Sequence, residues 1–428
     1  MCILYKYDVY RDGIRRMNQP YLSITRMEIG IKSQNSNLFG RLTILVHKDT
    51  HKSWKMPYIQ RIFCIFALDK LLRMNLQPNQ IPYKIPQPNN MGLVRYVLAI
   101  SVLIGHFNFI FSTDFYLPVS SYNAVGCFFA LSGFLVTNSW FKHPKWRPFL
   151  KNRCIRLLPA YFTIVIFFAI ILYFFSSDVH YFTSLQFWKY IAANLSFMNF
   201  IEPDLPGVFT FNTMTCVNGS LWTMKVEWML YFTTPFAILS LCSWKKRPIV
   251  VLACIYLVSM LYRITFIWLY ISTNAEIYNI LSRQFIGQLM YFYSGILIYF
   301  YFDVFMRLKW WILPISLILV HSLHNLQIFN LTVEPFVISL LVIWFSMVGG
   351  WGTWLQRHNI SYIIYLAHFP ILQICKQYMP ADNSKLSTLL IAIILSALIG
   401  LIIHVLIELP LQKHFFQANK FITKKIHR

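Results

Sequence analysis

The chain has 428 residues, of which 57% are hydrophobic, 18% are aromatic and only 12% are charged. Soluble globular proteins carry about 25% charged residues, so this composition excludes an ordinary cytosolic enzyme and a disordered chain. Lysine and arginine number 38 against 15 acidic residues, which gives a formal net charge of +23. In a soluble protein such an excess indicates nucleic-acid binding, whereas in a membrane protein it is typical of cytosolic loops.

Residues 1–90 differ from the rest and contain no apolar run long enough to cross a bilayer. Within them, 59–73 is predicted to form an amphipathic surface helix, and 75–90 is predicted to be an extended linker rich in Pro, Asn and Gln. Two interpretations are open. The region is a cytosolic extension, or it is an upstream stretch wrongly joined to the gene, with Met74 or Met91 as the true start. We favour the second because the membrane part looks complete without it.

From residue 94 onward, apolar segments recur that approach the roughly 20 residues needed to cross a hydrocarbon core of about 30 Å. We predict an all-α membrane domain over residues 91–410 with about ten transmembrane helices, followed by a basic cytosolic tail, 411–428. The aromatic segment 186–200 is predicted to lie at the membrane interface. The predicted spans are 94–112, 119–138, 159–176, 221–242, 248–270, 284–302, 311–324, 333–350, 361–378 and 387–409.

The connecting loops carry their positive charge on one side of the predicted membrane domain. With the first span starting in the cytosol, the inner loops contain 17 Lys and Arg residues, and the outer loops contain Lys189, Arg283 and Lys385. This asymmetry predicts cytosolic N- and C-termini. It also explains the net charge without nucleic acid, so membrane lipid is the expected partner. The sequence shows no internal repeat of the kind found in many transporters.

Ionisable residues inside a membrane are costly and are therefore candidates for function. In the first span, Arg95 and His106 are eleven residues apart, so at ~100° per residue they share a helix face, about 16 Å apart along the axis. Glu227 in the fourth predicted span lies at about the depth of His106, which predicts a carboxylate that orients an imidazole base. The alternatives are an anchoring Arg95, a packing role for His106, and a pair between Glu227 and Lys225, although i,i+2 residues point to different faces.

Two arginines precede the third predicted span. Arg153 and Arg156 are three residues apart on one helix face, a placement suited to bidentate binding of phosphate. Positive-inside anchoring explains the same residues equally well. In the second span, Ser132 and Gly133 predict close helix packing, because small residues let helices approach each other.

A polar stripe and an aromatic segment complete the set of candidate residues. Tyr362, Tyr365 and His368 are spaced three residues apart and share one helix face, which predicts either a hydrogen-bonded interface or part of a site. Trp222, at the end of the outer aromatic segment 186–222, is a candidate for stacking on a sugar ring, and membrane anchoring is the alternative. The 8 cysteines form no C-x-x-C pair, so we expect no metal site.

The order and spacing of these motifs resemble the acyltransferase-3 family of integral membrane acyltransferases, which O-acetylate bacterial cell-surface polysaccharides and other glycans. The similar region covers about residues 90–410 and includes Arg95 and His106 separated by ten residues, FFALSGF, the R-x-x-R pair, SLWTMKVEW and SYIIYLAH. The resemblance implies ten membrane helices in the bacterial inner membrane and no permanently bound cofactor. It also implies acetyl-CoA from the cytosol as donor and a cell-surface or lipid-linked glycan as acceptor.

The resemblance and the placement of the polar residues together suggest a mechanism in which an imidazole acts as general base, or accepts the acetyl group transiently, while a carboxylate orients it. Two other classes remain open: a membrane transporter or flippase of a glycan or small solute, and a non-catalytic scaffold or sensor. The last class predicts that the catalytic candidates tolerate substitution. The expected site comprises catalytic His106 and Glu227, donor-binding Arg95, Arg153 and Arg156, and substrate-binding Trp222, Tyr362 and His368.

Overall fold

The structure is a computed structural model that describes residues 84–142, 144–243, 248–356, 359–379 and 384–414. The predicted amphipathic helix 59–73, most of the predicted linker 75–90 and nearly all of the basic tail lie outside the described residues. Both interpretations of the N-terminal region therefore stay predictions.

The described residues form thirteen α-helices joined by turns and irregular segments. The third helix continues into a 3₁₀ turn, Leu172–Phe175, and the last into a π-helical turn, His404–Glu408. The helices are α1 Met91–Phe111, α2 Ser121–Lys142, α3 Trp146–Ile171, α4 Leu185–Leu195, α5 Trp222–Ser243, α6 Pro248–Thr273, α7 Glu276–Ser282, α8 Phe285–Phe300, α9 Phe302–Leu323, α10 Gln327–Thr332, α11 Glu334–Met347, α12 Ser361–Tyr378 and α13 Lys385–Ile403.

Each of the ten predicted spans falls on one of these helices, but ten membrane crossings are not confirmed. Six segments of the described chain are long and apolar enough to cross a bilayer: Met91–Phe111, Ser121–Lys142, Trp146–Phe175, Ile249–Thr273, Phe302–Leu323 and Lys385–His414. Shorter helices such as α8, with 16 residues, and α11, with 14, account for part of the difference. The 11-residue α4 occupies the segment predicted to be interfacial, and at about 1.5 Å per residue it is too short to cross a membrane.

Helices α2 and α8 pack closely because glycines face each other across the contact. A Cβ atom on Gly133 would lie 2.0 Å from the carbonyl oxygen of Phe292, and one on Gly295 would lie 2.0 Å from the carbonyl oxygen of Ala130. No side chain fits at either position without moving a backbone. The prediction of close packing at Gly133 is confirmed, and this contact brings α2, which carries Ser132, into a fixed position.

The irregular segment between α4 and α5 is fastened to the side of α12. The Asn218 amide donates to the carbonyl of Leu366 at 2.8 Å, and the Asn212 amide donates to the carbonyl of Gln373 at 3.0 Å. The Gln373 amide in turn donates to the carbonyl of Met214 at 2.7 Å. These side chains satisfy backbone groups that the irregular segment would otherwise bury without partners, and they fix α12 against the start of α5.

Candidate functional site

A cavity of about 450 Å³ lies among α1, α2, α3, α5, α12 and the segment that follows α13. Its volume falls within the roughly 300–1,000 Å³ that is usual for small-molecule sites. Five of the eight predicted site residues line it: Arg95, Arg153, Arg156, Glu227 and Tyr362. The cavity includes residues near the predicted cytosolic ends of α1, α3 and α12 and residues that follow α13, and it also reaches Thr223 and Met224 at the start of α5.

The three arginines differ in how far they are withdrawn from solvent. Arg153 is buried, Arg95 is half-buried and Arg156 is exposed. The Arg153 guanidinium carbon lies 5.8 Å from the centre of the Tyr231 ring and 6.0 Å from that of Phe149, and its Nε atom has no hydrogen-bond partner among the described residues. A buried guanidinium with an unsatisfied donor beside a cavity is suited to bind an anionic ligand.

Glu227 lines the same cavity as the three arginines, which is called the arginine cavity below. Its carboxylate accepts a hydrogen bond from Ser132 Oγ at 3.0 Å and a short one from the Tyr231 hydroxyl. It attracts the positive charges of Arg95 and Arg153. The alternative partner Lys225 is excluded, because its ammonium lies over the Phe200 ring at 4.5 Å.

His106 pairs with a different residue from the one predicted. Its Nδ1 atom lies 2.8 Å from Nε2 of His368, and the two rings stack with an angle of 11° between their planes. The Phe369 ring meets His106 edge-on at 5.1 Å. The predicted pair of His106 with Glu227 is therefore wrong, because equal depth in a bilayer does not fix which way each side chain points around its helix.

The two histidines lie behind the wall of the cavity. Tyr365 lines the cavity and lies 5.9 Å from His368, ring centre to ring centre, while its hydroxyl is 3.0 Å from Thr223 Oγ1. His368 is fully buried, and His106 is half-buried. The polar stripe predicted on α12 is thus divided, since Tyr362 and Tyr365 face the cavity and His368 faces His106.

Trp222 does not line the cavity. It is the first residue of α5 and is half-buried. Its predicted contact with an acceptor stays a prediction.

Comparison with known proteins assigns the chain to a family. The model of the acyltransferase-3 family, described as an acyltransferase domain, matches residues 89–407. The chain belongs to the acyltransferase-3 family. Nodulation protein 10 of Rhizobium leguminosarum bv. viciae is 24% identical to it over an alignment that covers 66% of this chain and 83% of that protein. No solved structure matches the chain.

The matched region of this acyltransferase contains a second polar group, which was not predicted from the sequence. His404 Nδ1 lies 2.7 Å from a carboxylate oxygen of Glu408, the Gln412 amide donates to the other oxygen at 3.0 Å, and all three residues line the cavity. Glu408 is not among the predicted site residues. Its i,i+4 spacing from His404 was the available signal, and the π-helical turn that carries the pair is a local feature common at functional sites.

Proposed function

We propose that this membrane acyltransferase transfers an acetyl group from cytosolic acetyl-CoA to a hydroxyl of a cell-surface or lipid-linked glycan in the bacterial inner membrane. The observation that carries the proposal is the cavity lined by three arginines, which extends from the predicted cytosolic helix ends to the tyrosine that covers the histidine pair. A basic entrance suits the phosphates of CoA, and an imidazole suits proton transfer near neutral pH.

The donor would enter through the arginine-lined mouth. Arg156 is exposed and Arg153 is buried, so the phosphates of CoA would meet Arg156 first and the deeper guanidiniums of Arg95 and Arg153 after it. Charge-assisted hydrogen bonds to phosphate are about twice as strong as neutral ones. Glu227 limits the mutual repulsion of these arginines and so fixes the donor-binding side chains.

His106 is proposed as the general base, with His368 as the residue that orients it. In the proposed tautomer His368 carries its proton on Nδ1, which leaves its Nε2 atom able to accept a hydrogen bond. His368 Nε2 is then the acceptor for the Nδ1 proton of His106. This tautomer leaves a lone pair on Nε2 of His106, which is the atom that a base requires.

The transfer balances with these groups. Nε2 of His106 takes the proton of the acceptor hydroxyl while the hydroxyl oxygen attacks the thioester carbonyl carbon. The carbon–sulfur bond breaks, and the departing CoA thiolate takes the proton back from His106. The products are an O-acetyl ester and CoA with a free thiol. The thioester must pass Tyr365 to reach His106, so rotation of the Tyr365 side chain away from Thr223 is part of the proposal.

The test uses membranes that contain the chain, acetyl-CoA labelled in its acetyl group, and the host's glycans and lipid-linked sugars. We expect label in a base-labile ester, lost in His106→Ala and kept in His321→Ala, an exposed histidine of α9. Label retained in His106→Ala at normal protein level would reject His106 as the base. Absence of label from the folded wild-type protein, supplied with these acceptors, would overturn acetyl-CoA-dependent transfer and favour transport or another donor.

A further inference from the structure

A second buried arginine lies outside the cavity, and it has no carboxylate bonded to it. Arg263 of α6 is 4% exposed, and its guanidinium carbon lies 5.3 Å from the ring centre of Tyr122 and 5.7 Å from that of Tyr291. Its Nη1 atom meets the sulfur of Met290 at 2.9 Å, and its Nε atom has no hydrogen-bond partner among the described residues. Thioether sulfur is a weak acceptor, so this guanidinium keeps unused capacity for hydrogen bonds.

A second guanidinium lies over the same aromatic ring. Arg283 follows α7, is exposed, and places its guanidinium carbon 5.8 Å from the centre of Tyr122. The half-buried Tyr122 therefore contacts one arginine at the surface and one in the core. Positively charged side chains therefore lie on this ring both at the surface, at Arg283, and in the core, at Arg263.

The carboxylates near these arginines bond to neutral side chains. Glu334 accepts a hydrogen bond from Asn123 at 3.0 Å and attracts Arg263 without forming an ion pair. In the described part of the chain neither Arg263 nor Arg283 forms an ion pair. The second carboxylate, Glu276 of α7, accepts hydrogen bonds from Tyr270 and Asn279, and the N-terminal ends of α2, α8 and α11 add the positive ends of three helix dipoles.

The cluster lies at the end of the helices away from the arginine cavity. Helices α1 and α2 are consecutive, and Gly105 in the last turns of α1 is so close to Ser121 at the start of α2 that a Cβ atom would lie 2.5 Å from the Ser121 Cβ. The two helices thus run in opposite directions. Tyr122 at the start of α2 and Arg95 at the start of α1 therefore lie at opposite ends of this helix pair. The predicted topology assigns this end to the outer side.

The neighbouring surface of α6 suits contact with lipid. Leu257, Val258, Leu261 and Trp268 of this helix are each between 48% and 62% exposed, and the Ile249–Thr273 segment is long and apolar enough to span a membrane. Helix α6 therefore presents its apolar side to lipid and Arg263 to the interior. A phosphate carried by a lipid can reach Arg283 along this edge without crossing the bundle.

We propose that Arg283, Tyr122 and Arg263, together with Asn123 and Glu334, form a binding site for a phosphate group of net negative charge at the predicted outer side of the membrane. Arg283 provides first contact, and Arg263 supplies the buried donors. Tyr122 holds both guanidiniums in place through its ring, and Asn123 holds Glu334 away from the arginines. The phosphate is either carried by a membrane lipid or free in solution. The site goes beyond the proposed acetyl transfer, since it concerns binding and can be measured without acetyl-CoA.

The experiment measures binding of dioleoyl phosphatidic acid by native mass spectrometry of the whole chain in nonionic detergent micelles. Phosphatidylcholine, whose zwitterionic headgroup has no net charge, is the control. Loss of one charge-assisted hydrogen bond weakens binding by about tenfold or more. We expect Arg283→Gln to weaken phosphatidic acid binding by about that factor and Arg283→Lys to weaken it less. Lys385→Gln, which removes a different exposed positive charge of the predicted outer loops, is expected to leave the affinity unchanged.

Competition with inorganic phosphate separates the two sources of the ligand. Displacement of phosphatidic acid by inorganic phosphate supports a site that recognises the phosphate group alone. Binding that depends on Arg283 but resists inorganic phosphate supports a site that also needs the lipid. Equal affinity of the wild type, Arg283→Gln and Lys385→Gln, or binding of phosphatidylcholine as tight as that of phosphatidic acid, would overturn the proposal.

Discussion

The Nδ1 atom of His106 lies 2.8 Å from Nε2 of His368, 262 residues further along the chain. The contact joins α1 to α12 in a region where the surrounding side chains are aromatic and apolar. A hydrogen bond between two imidazoles fixes the ring orientation of each and selects the tautomer of each. This relationship, rather than a carboxylate–imidazole pair, sets the properties of the proposed base.

Replacement of His368 tests whether it orients His106. We expect His368→Ala to lower kcat by about 10- to 100-fold, the equivalent of one hydrogen bond of about 1.5–3 kcal/mol to a group that becomes charged. His368→Gln should recover part of the loss, because its amide oxygen accepts the same proton. The KM for acetyl-CoA should stay unchanged, since His368 does not line the cavity. A rise in KM with an unchanged kcat would contradict the orienting role.

The carboxylate of Glu227 gives a complementary prediction. Because Glu227 bonds to Ser132 and Tyr231 and not to His106, the Glu227→Gln protein should keep the pH midpoint of kcat while its KM for acetyl-CoA changes. His368 variants should shift that midpoint. The measurement is a pH profile of initial rates for the wild type and both variants. A shifted midpoint in Glu227→Gln alone would return Glu227 to the base-orienting role.

The sequence located the helices better than it located side-chain partners. Helix positions follow from local hydrophobic runs, so all ten predicted segments coincide with helices. Partner choice depends on helix rotation, which depth along the axis does not report. Glu227 and His106 are at similar predicted depths, yet one faces the cavity and the other faces α12. The close packing at Gly133 could be predicted because a small residue in a helix indicates that a neighbouring helix comes close.

The arginines of α3 are expected to act on donor binding and not on the chemical step. We expect Arg153→Ala to raise the dissociation constant for CoA by about 10- to 100-fold, because each lost charge-assisted hydrogen bond costs about 1.5–3 kcal/mol. Arg153→Lys should recover only part of the affinity, because lysine lacks the planar fork. The measurement is isothermal titration of CoA into the detergent-solubilised protein.

The matched control for that series is Arg147→Ala. Arg147 is an exposed arginine of the same helix, and it does not line the cavity. Affinity that falls equally in Arg147→Ala and Arg153→Ala would show that general positive charge, and not a defined phosphate contact, determines binding. Increasing salt should weaken binding less in Arg153→Ala than in the wild type, since one screened interaction has been removed.

The contact between α2 and α8 yields a stability prediction. Gly133→Ala would place a methyl group 2.0 Å from the Phe292 carbonyl oxygen, so the helices must separate, and overpacking of this kind costs about 1–3 kcal/mol. Gly400→Ala on α13 is the matched control, because its Cβ would meet its nearest neighbour, a side-chain atom of Ile364, at an ordinary 3.4 Å. Thermal unfolding in detergent should show a lower midpoint for Gly133→Ala and an unchanged or higher one for Gly400→Ala, since alanine favours helix over glycine by about 1 kcal/mol. Equal midpoints would mean that α2 and α8 can separate without loss of stability. The contact would then not fix the position of Ser132 beside Glu227.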